Sequence, residues 1–196
     1  MLKNHEVTTR AVVIGRMSSG EGSVRALIYT EHLGLVRALA TSAREERSKL
    51  RAHLQVGTLG VFTLVKGAYD WRVIGADKTR NVYFSSLRES AVPKACARVL
   101  GALRQLIHGE EINEKLFLAL WNFLNDSVAL SEKEVVLAER LAMVRILTSL
   151  GYVPTQKGIP HIFDSSYGKD VLDDLIPFDR KLVRIINEAL LASDLS

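Results

Sequence analysis

The 196-residue chain carries 26 Lys and Arg against 22 Asp and Glu, a formal charge of +4, with 47% apolar residues. That composition suits one large or two small globular domains and excludes wholesale disorder. No apolar run approaches the ~20 residues of a membrane span, and no hydrophobic leader follows Met1, so neither membrane insertion nor export is expected. A lone cysteine, Cys96, excludes an internal disulfide and a cysteine metal cluster and makes a reducing cytoplasm the expected setting.

Thr8–Gly15 is β-branched and apolar and reads as a first strand. The turn-like run Met17–Ser23 follows, with Gly20 and Gly22 inside it. In Val24–Thr30, Val24, Ala26 and Ile28 alternate with Arg25, Leu27 and Tyr29, the pattern of a half-buried strand. Glu31–Gly34 turns the chain into a third strand, Leu35–Ala40, completing a meander. Residues 41–55 lack a period of two and read as a loop or short helical turn anchored by Leu50 and Leu54. Strands resume at Gly57–Lys66 and Tyr69–Ile74. Five strands with a long excursion between the third and fourth predict a small antiparallel β-barrel of the OB type over residues 1–80.

Beyond Ser85 the period becomes helical. A helix capped at Ser86 or Ser90 has Pro93 in its first turn and an apolar face of Ala95, Val99, Leu103 and Leu106. Asn113 caps a second helix with a stripe of Leu116, Leu120, Phe123 and Leu124. Ser131 and Glu134 form a capping box for a third, which runs to Ser149 and stops at Gly151. The polar, Gly- and Pro-bearing stretch 154–176 reads as irregular, and Asp179 caps a last helix. The fold class is therefore α+β, a barrel domain at 1–80 followed by a helical domain at 81–196.

Charge divides along the same line. Residues 1–80 hold thirteen Lys and Arg against seven Asp and Glu; residues 81–196 hold thirteen against fifteen. Arg37, Arg44, Arg47, Lys49 and Arg51 fall within fifteen residues, and Arg16 and Arg25 flank the glycine turn. Cations spaced along one edge of a barrel suit a sequence-independent grip on a phosphate backbone. Tyr29 and Tyr69 fit either a base-stacking or a core role, and Trp71 fits the core better. Other chemistries find little support. The five histidines are scattered without HxxxH or HExxH spacing, GxSxG is absent, and no GKS or GKT follows the glycine turn. Cys96 reads as a buried thiol, and Asp164, Asp173 and Asp174 as a solvated face before a divalent-ion site. The chain reads as non-enzymatic, with no cofactor and no metal.

Three stretches carry a resemblance. Residues 11–55 hold a strand, the Glu21-Gly22-Ser23 turn, a second strand ending in Thr30, a Thr-x-x-x-Gly turn and the arginine-rich segment ending Ser48-Lys49-Leu50. Residues 62–77 resemble closing barrel strands. Residues 138–154, AERLAMVRILTSLGYVP, resemble a helical signature ending LGY-x-P. In these the chain resembles the bacterial RecO family of recombination mediators. The resemblance implies an OB domain followed by a helical domain, binding of single- and double-stranded DNA, strand annealing, partnership with a RecR-like protein, and recombinase loading. It also implies a nucleoid-associated cytoplasmic setting and, for some members, binding of the acidic tail of single-strand DNA-binding protein. Carried onto this chain, DNA contact falls on Arg37, Arg44, Arg47, Lys49 and Arg51, with Arg16 and Arg25 beside them, and tail binding on Arg98, Arg104, Arg140 and Arg145. The family commonly carries a four-cysteine zinc module after LGY-x-P; none of those cysteines is present, and zinc is not expected. The alternative is an adaptor of the repair machinery with only incidental DNA contact.

Overall fold

The computed structural model describes residues 6–19, 23–40, 50–85, 91–154 and 158–193. They fall into two compact units, one of residues 1–82 with 107–112 and the other of residues 83–106 with 113–196.

The first unit is a five-stranded mixed sheet: β1 (Glu6–Ser19), β2 (Ser23–Thr30), β3 (Gly34–Ala40), β4 (Thr58–Lys66) and β5 (Trp71–Asn81), with the single turn α1 (Leu50–His53) between β3 and β4. The pairing order is β1-β2-β3-β5-β4, and β4 pairs with β1 again, so the order returns to its starting strand. All pairings are antiparallel except β3 with β5, which is parallel. The expectation of a purely antiparallel sheet is corrected there: β5 returns beside β3 in the same direction, outside the reach of a hairpin connection.

Alternation places the core. Val24, Ala26 and Ile28 of β2 and Val36, Ala38 and Ala40 of β3 are buried and join Phe62, Leu64, Trp71 and Val73 in one cluster. Burying a side chain of this size stabilises by roughly 1.5–3 kcal/mol. Leu54, next to the α1 turn, is fully buried in the same cluster, which anchors the end of the basic excursion to the sheet. In β1 the alternation fails, because Ala11–Gly15 are all buried and a register shift between Val13 and Gly15 absorbs one extra residue. Two strand limits differ from the expectation. Met17–Ser19 continue β1 instead of opening a turn, and β5 starts at Trp71, two residues later, and runs seven further.

The β2–β3 turn is built by Thr30 and Gly34. Thr30 Oγ1 accepts from the Leu33 amide and donates to the Gly34 carbonyl, both at 3.0 Å. Gly34 has φ +68, and the backbone of Glu111 passes so close that a Cβ would lie 2.2 Å from its carbonyl oxygen. Segment 107–112 thus lies against this turn, with the Leu35 amide donating to the Gly109 carbonyl.

The second unit holds α3 (Ala91–Leu106), α4 (Glu114–Asp126), α5 (Glu132–Ser149), α6 (Lys169–Leu175) and α7 (Asp179–Ala192); α2 (Val82–Ser85) joins the units in sequence. Asn113 Oδ1 accepts from the Leu116 amide at 3.0 Å, and Ser131 with Glu134 forms the expected capping box. Helix α5 packs against α3, α4, α6 and α7 and buries residues around its whole circumference, Leu141 to Leu147 without a break. It ends at Gly151 (φ +82), where the Tyr152 amide donates to the Leu147 carbonyl. Two expectations are corrected. Part of stretch 154–176 is helical, as α6, whose Val171, Leu172 and Leu175 are buried. Asp179 is the first residue of α7 and not its cap. The proposed caps Ser86 and Ser90 lie outside the described residues.

Gly34 and Gly101 test this packing in opposite directions. At Gly34 alanine meets a left-handed backbone and the Glu111 carbonyl together; the expected loss is at least about 2 kcal/mol. Gly101, inside α3, has nothing within 4 Å of an added Cβ; Gly101→Ala is expected to stabilise by about 0.5–1 kcal/mol. Urea unfolding followed by circular dichroism reads both, and a neutral Gly34→Ala would contradict the close approach.

Candidate nucleic-acid interface

The outward positions of β2, β3 and β5 form one face. Register aligns Met17 with Arg25, Arg25 with Leu39, and Leu39 with Arg72, and sets Leu27 beside Arg37 in the next row. Opposed residues share a face of the sheet, so Arg25, Arg37 and Arg72 stand together on it, with Leu27 and Leu39 between them. Arg37 and Arg72 are exposed, and among the described residues neither has an ion-pair partner. Arg25 is half-exposed, its Nε 3.2 Å from Asp70 Oδ2. That nitrogen makes no aligned hydrogen bond, so the contact is charge proximity alone, a weak restraint at a hydrated surface.

Other cations of the sheet are committed. Arg10 forks onto Glu31 through Nε and Nη2, and this guanidinium holds the Glu31 carboxyl below the usual carboxylate range. Lys66 donates to both oxygens of Glu110 at 2.8 and 3.0 Å and lies 4.8 Å above the Trp71 ring. The Trp71 indole N–H donates to the same carboxylate at 3.0 Å. Those hydrogen bonds, from Lys66 first, lower the Glu110 pKa. Trp71 is 5% exposed and belongs to the core cluster; Tyr29 is 2% exposed but shares the strand parity of Arg25 and Leu27 and is buried outside that cluster, while Tyr69 is almost fully exposed at the β4–β5 turn.

Of the expected contact residues, Arg37 and Arg25 are brought together. Arg16 is not among them. The register shift in β1 sets it opposite Ala26, a core residue, so Arg16 belongs to the opposite face of the sheet from Arg25. Arg51 lies in α1, and Arg44, Arg47 and Lys49 lie outside the described residues. Arg72 was not singled out as a contact from sequence, and for Tyr69, which fitted either a base-stacking or a core role, exposure excludes the core. Strand alternation carries the signal for Arg72: with Trp71 and Val73 inward, it must point out.

The arginines of the helical unit are dispersed among partners. Arg98 forks onto Glu139, Arg140 pairs with Asp179, and Arg104 is exposed near the end of α3. Arg145 is buried, 3% exposed, and donates to the carbonyls of His161 and Ser166. Its guanidinium lies 4.5 Å from the centre of the Tyr167 ring, so it holds the 161–167 loop and is not a surface cation. Beside it a cavity of about 420 Å³ is lined by Lys115, Leu118, Ile162 and Phe163, among others, and the buried Thr148 hydroxyl on its wall lacks a hydrogen-bond partner.

Two of the acidic candidates, Asp164 and Asp174, hold a histidine, while Asp173 is exposed. His161 Nδ1 lies 2.6 Å from Asp164 Oδ2 and its Nε2 lies 2.9 Å from Asp174 Oδ2. Carboxylates only accept, so the ring is held as a doubly protonated imidazolium. Among the described residues no group of three or more His, Cys, Asp or Glu could hold a metal ion. Cys96 is buried, and desolvation pushes its thiol up to about 11, away from nucleophilic use. No helix among the described residues is long and apolar enough to cross a membrane.

Residues 2–70 match the family described as "Recombination protein O N terminal". The chain is similar to the DNA repair protein RecO of Dehalococcoides mccartyi strain CBDB1, 27% identical over 155 residues. It is 28% identical over the same length to that of strain ATCC BAA-2100. Each alignment covers 79% of this chain and 60% of the relative. The chain therefore spans about three-fifths of the length of these relatives.

Hydrogen bonds to Asp174 and then Asp164 raise the His161 pKa above its ordinary value. A raised folded-state pKa stabilises fully below about pH 6.5 and loses that contribution as pH rises through the folded value. Asp174→Asn is therefore expected to lower the urea midpoint at about pH 6 and to leave a smaller gap to wild type at about pH 9. A gap unchanged between the two would contradict the clasp.

Proposed function

We propose that the chain is a non-enzymatic, DNA-binding recombination mediator of the RecO type, acting in DNA repair through an OB-type barrel and a helical domain. The observation that carries this reading is the shared face of Arg25, Arg37 and Arg72. The similarity of residues 2–70 to the RecO N-terminal family and of 155 residues to proteins named DNA repair protein RecO supports a DNA-repair reading of that face. Arginines along one face neutralise phosphates without reading sequence. With backbone charge masked on two complementary strands, their repulsion falls while the bases stay free to pair, which is the basis of annealing. Loading of recombinase with a RecR-like partner belongs to the same proposal.

Titrating labelled single-stranded DNA at rising salt tests it. Wild type should bind with affinity falling linearly in log salt. Arg37→Glu/Arg72→Glu should flatten the slope by about 0.7 for each single-strand phosphate that the variant no longer neutralises. Arg44→Glu/Arg47→Glu should do the same. Asp70→Asn should tighten binding several-fold at low salt, because it removes the carboxylate that faces Arg25 among the described residues. Binding indifferent to salt and to all these variants would overturn the proposal.

A second reading, the adaptor, is favoured by the cavity beside α5, where Leu118, Ala119, Ile162 and Phe163 adjoin Lys115, Asp164 and an unpartnered Thr148 hydroxyl. This suits an apolar side chain flanked by carboxylates, as in the acidic tail of a single-strand DNA-binding protein. If DNA contact is incidental, Lys115→Glu abolishes capture of an acidic peptide and also abolishes annealing, while the Arg37 and Arg72 variants leave annealing intact.

A further inference from the structure

Tyr69 is 98% exposed in the turn between β4 and β5. The turn is tight: the Gly67 amide donates to the Asp70 carbonyl at 3.0 Å, and a Cβ on Gly67 would lie 2.5 Å from the same oxygen. A single exposed tyrosine is ordinary. The surroundings set this one apart. With Leu39, Asp70 and Arg72 it lines a shallow cleft of about 170 Å³, and Leu39 and Arg72 belong to the arginine-bearing face through the β3–β5 register. The cleft opens beside that face at the level of the row holding Arg25.

Charge inside the cleft is nearly balanced. Arg72 contributes one positive charge and Asp70 one negative, the latter 3.2 Å from Arg25. A phosphate placed here would meet the Asp70 carboxylate, whereas a flat, uncharged ring would not. Phosphates find better seats at Arg37 and at the outer edge of Arg72. Other large aromatics of this sheet are buried or committed to other contacts. Trp71 is capped by Lys66 and bound to Glu110, and Tyr29 and Phe62 are buried.

We propose that Tyr69 is a stacking platform for one unpaired nucleobase, seated between its ring and Leu39, with Arg37 and Arg72 holding the flanking phosphates. This rests on the polyanion-binding reading of the face. Bases in a duplex have both faces covered by their neighbours, so the platform favours single strands over duplex, and it tolerates any base because every base has a π face.

The test measures anisotropy of the full chain with labelled oligothymidine, the same oligonucleotide with abasic sites, and a duplex. Tyr69→Ala should weaken oligothymidine binding by at least about fivefold and leave the abasic and duplex affinities near wild type. Tyr69→Phe should retain oligothymidine affinity, and Tyr69→Trp should show added emission that is quenched on binding. If Tyr69→Ala changes nothing while Arg37→Glu/Arg72→Glu weakens every ligand, the platform is overturned and the phosphate face stands. Equal losses on all three ligands would also overturn it, since base contact cannot act on an abasic strand. If wild type binds none of the three, the face reading falls and the platform with it.

Discussion

The parallel join between β3 and β5 is the constraint on which the arginine-bearing face depends. It consists of two residue pairs, Ala38 with Trp71 and Leu39 with Arg72. Parallel pairing is somewhat weaker per residue than antiparallel, so a join this short needs anchoring by side chains. Trp71 supplies it. The ring is in the core cluster with Ala38, its N–H is satisfied by Glu110, and Lys66 covers its outer surface. With Trp71 pinned inward, the period of two sends Arg72 outward beside Leu39, and the β2–β3 register brings Arg25 to the other side of Leu39. A buried indole thus sets the position of a surface guanidinium.

The face is distinguished by Arg37 and Arg72, which have no ion-pair partner among the described residues. Arg10, Lys66, Arg98 and Arg140 are each bound to a carboxylate, and Arg145 is consumed by loop carbonyls. Formal charge alone treats these alike with Arg37 and Arg72, yet only cations without a local counter-ion keep their full attraction for a polyanion. Asp70 adds a graded element. It restrains Arg25 loosely and keeps the neighbouring cleft near neutral, which separates a place for phosphates from a place for a ring. In the second unit the same logic runs inward: Asp164 and Asp174 clasp the His161 ring from both sides while the His161 carbonyl receives Arg145, so the loop after α5 is tied down by ionic and carbonyl contacts.

Much of this was legible in the sequence where one face of an element is wet. The alternation of Val24, Ala26 and Ile28 with Arg25 and Leu27 placed β2 and its outward cation, and the Asn113 and Ser131 caps placed α4 and α5. What escaped was set by distant partners. The extension of β5 to Asn81 follows from pairing with Thr58, invisible in the polar run Asp77-Lys78-Thr79. The shift between Val13 and Gly15 moved Arg16 off the face, because one extra residue reverses every side chain beyond it. Arg145 looked like an ordinary helix-surface charge; only the loop that covers it, with Tyr167 beneath its guanidinium, makes it a core residue. Helix α6 is short and follows a Gly- and Pro-bearing stretch, and its stability comes from burying Val171, Leu172 and Leu175.

The central claim is that nucleic acid meets the outward face of β2, β3 and β5. Hydrogen–deuterium exchange of the full chain with and without single-stranded DNA addresses it most directly. Protection on binding should concentrate in Ser23–Ala40 and the Gly67–Arg72 turn, with little change across α4 and α5. Protection centred on α4, α5 and the 161–167 loop, with β2 and β3 unaffected, would contradict it.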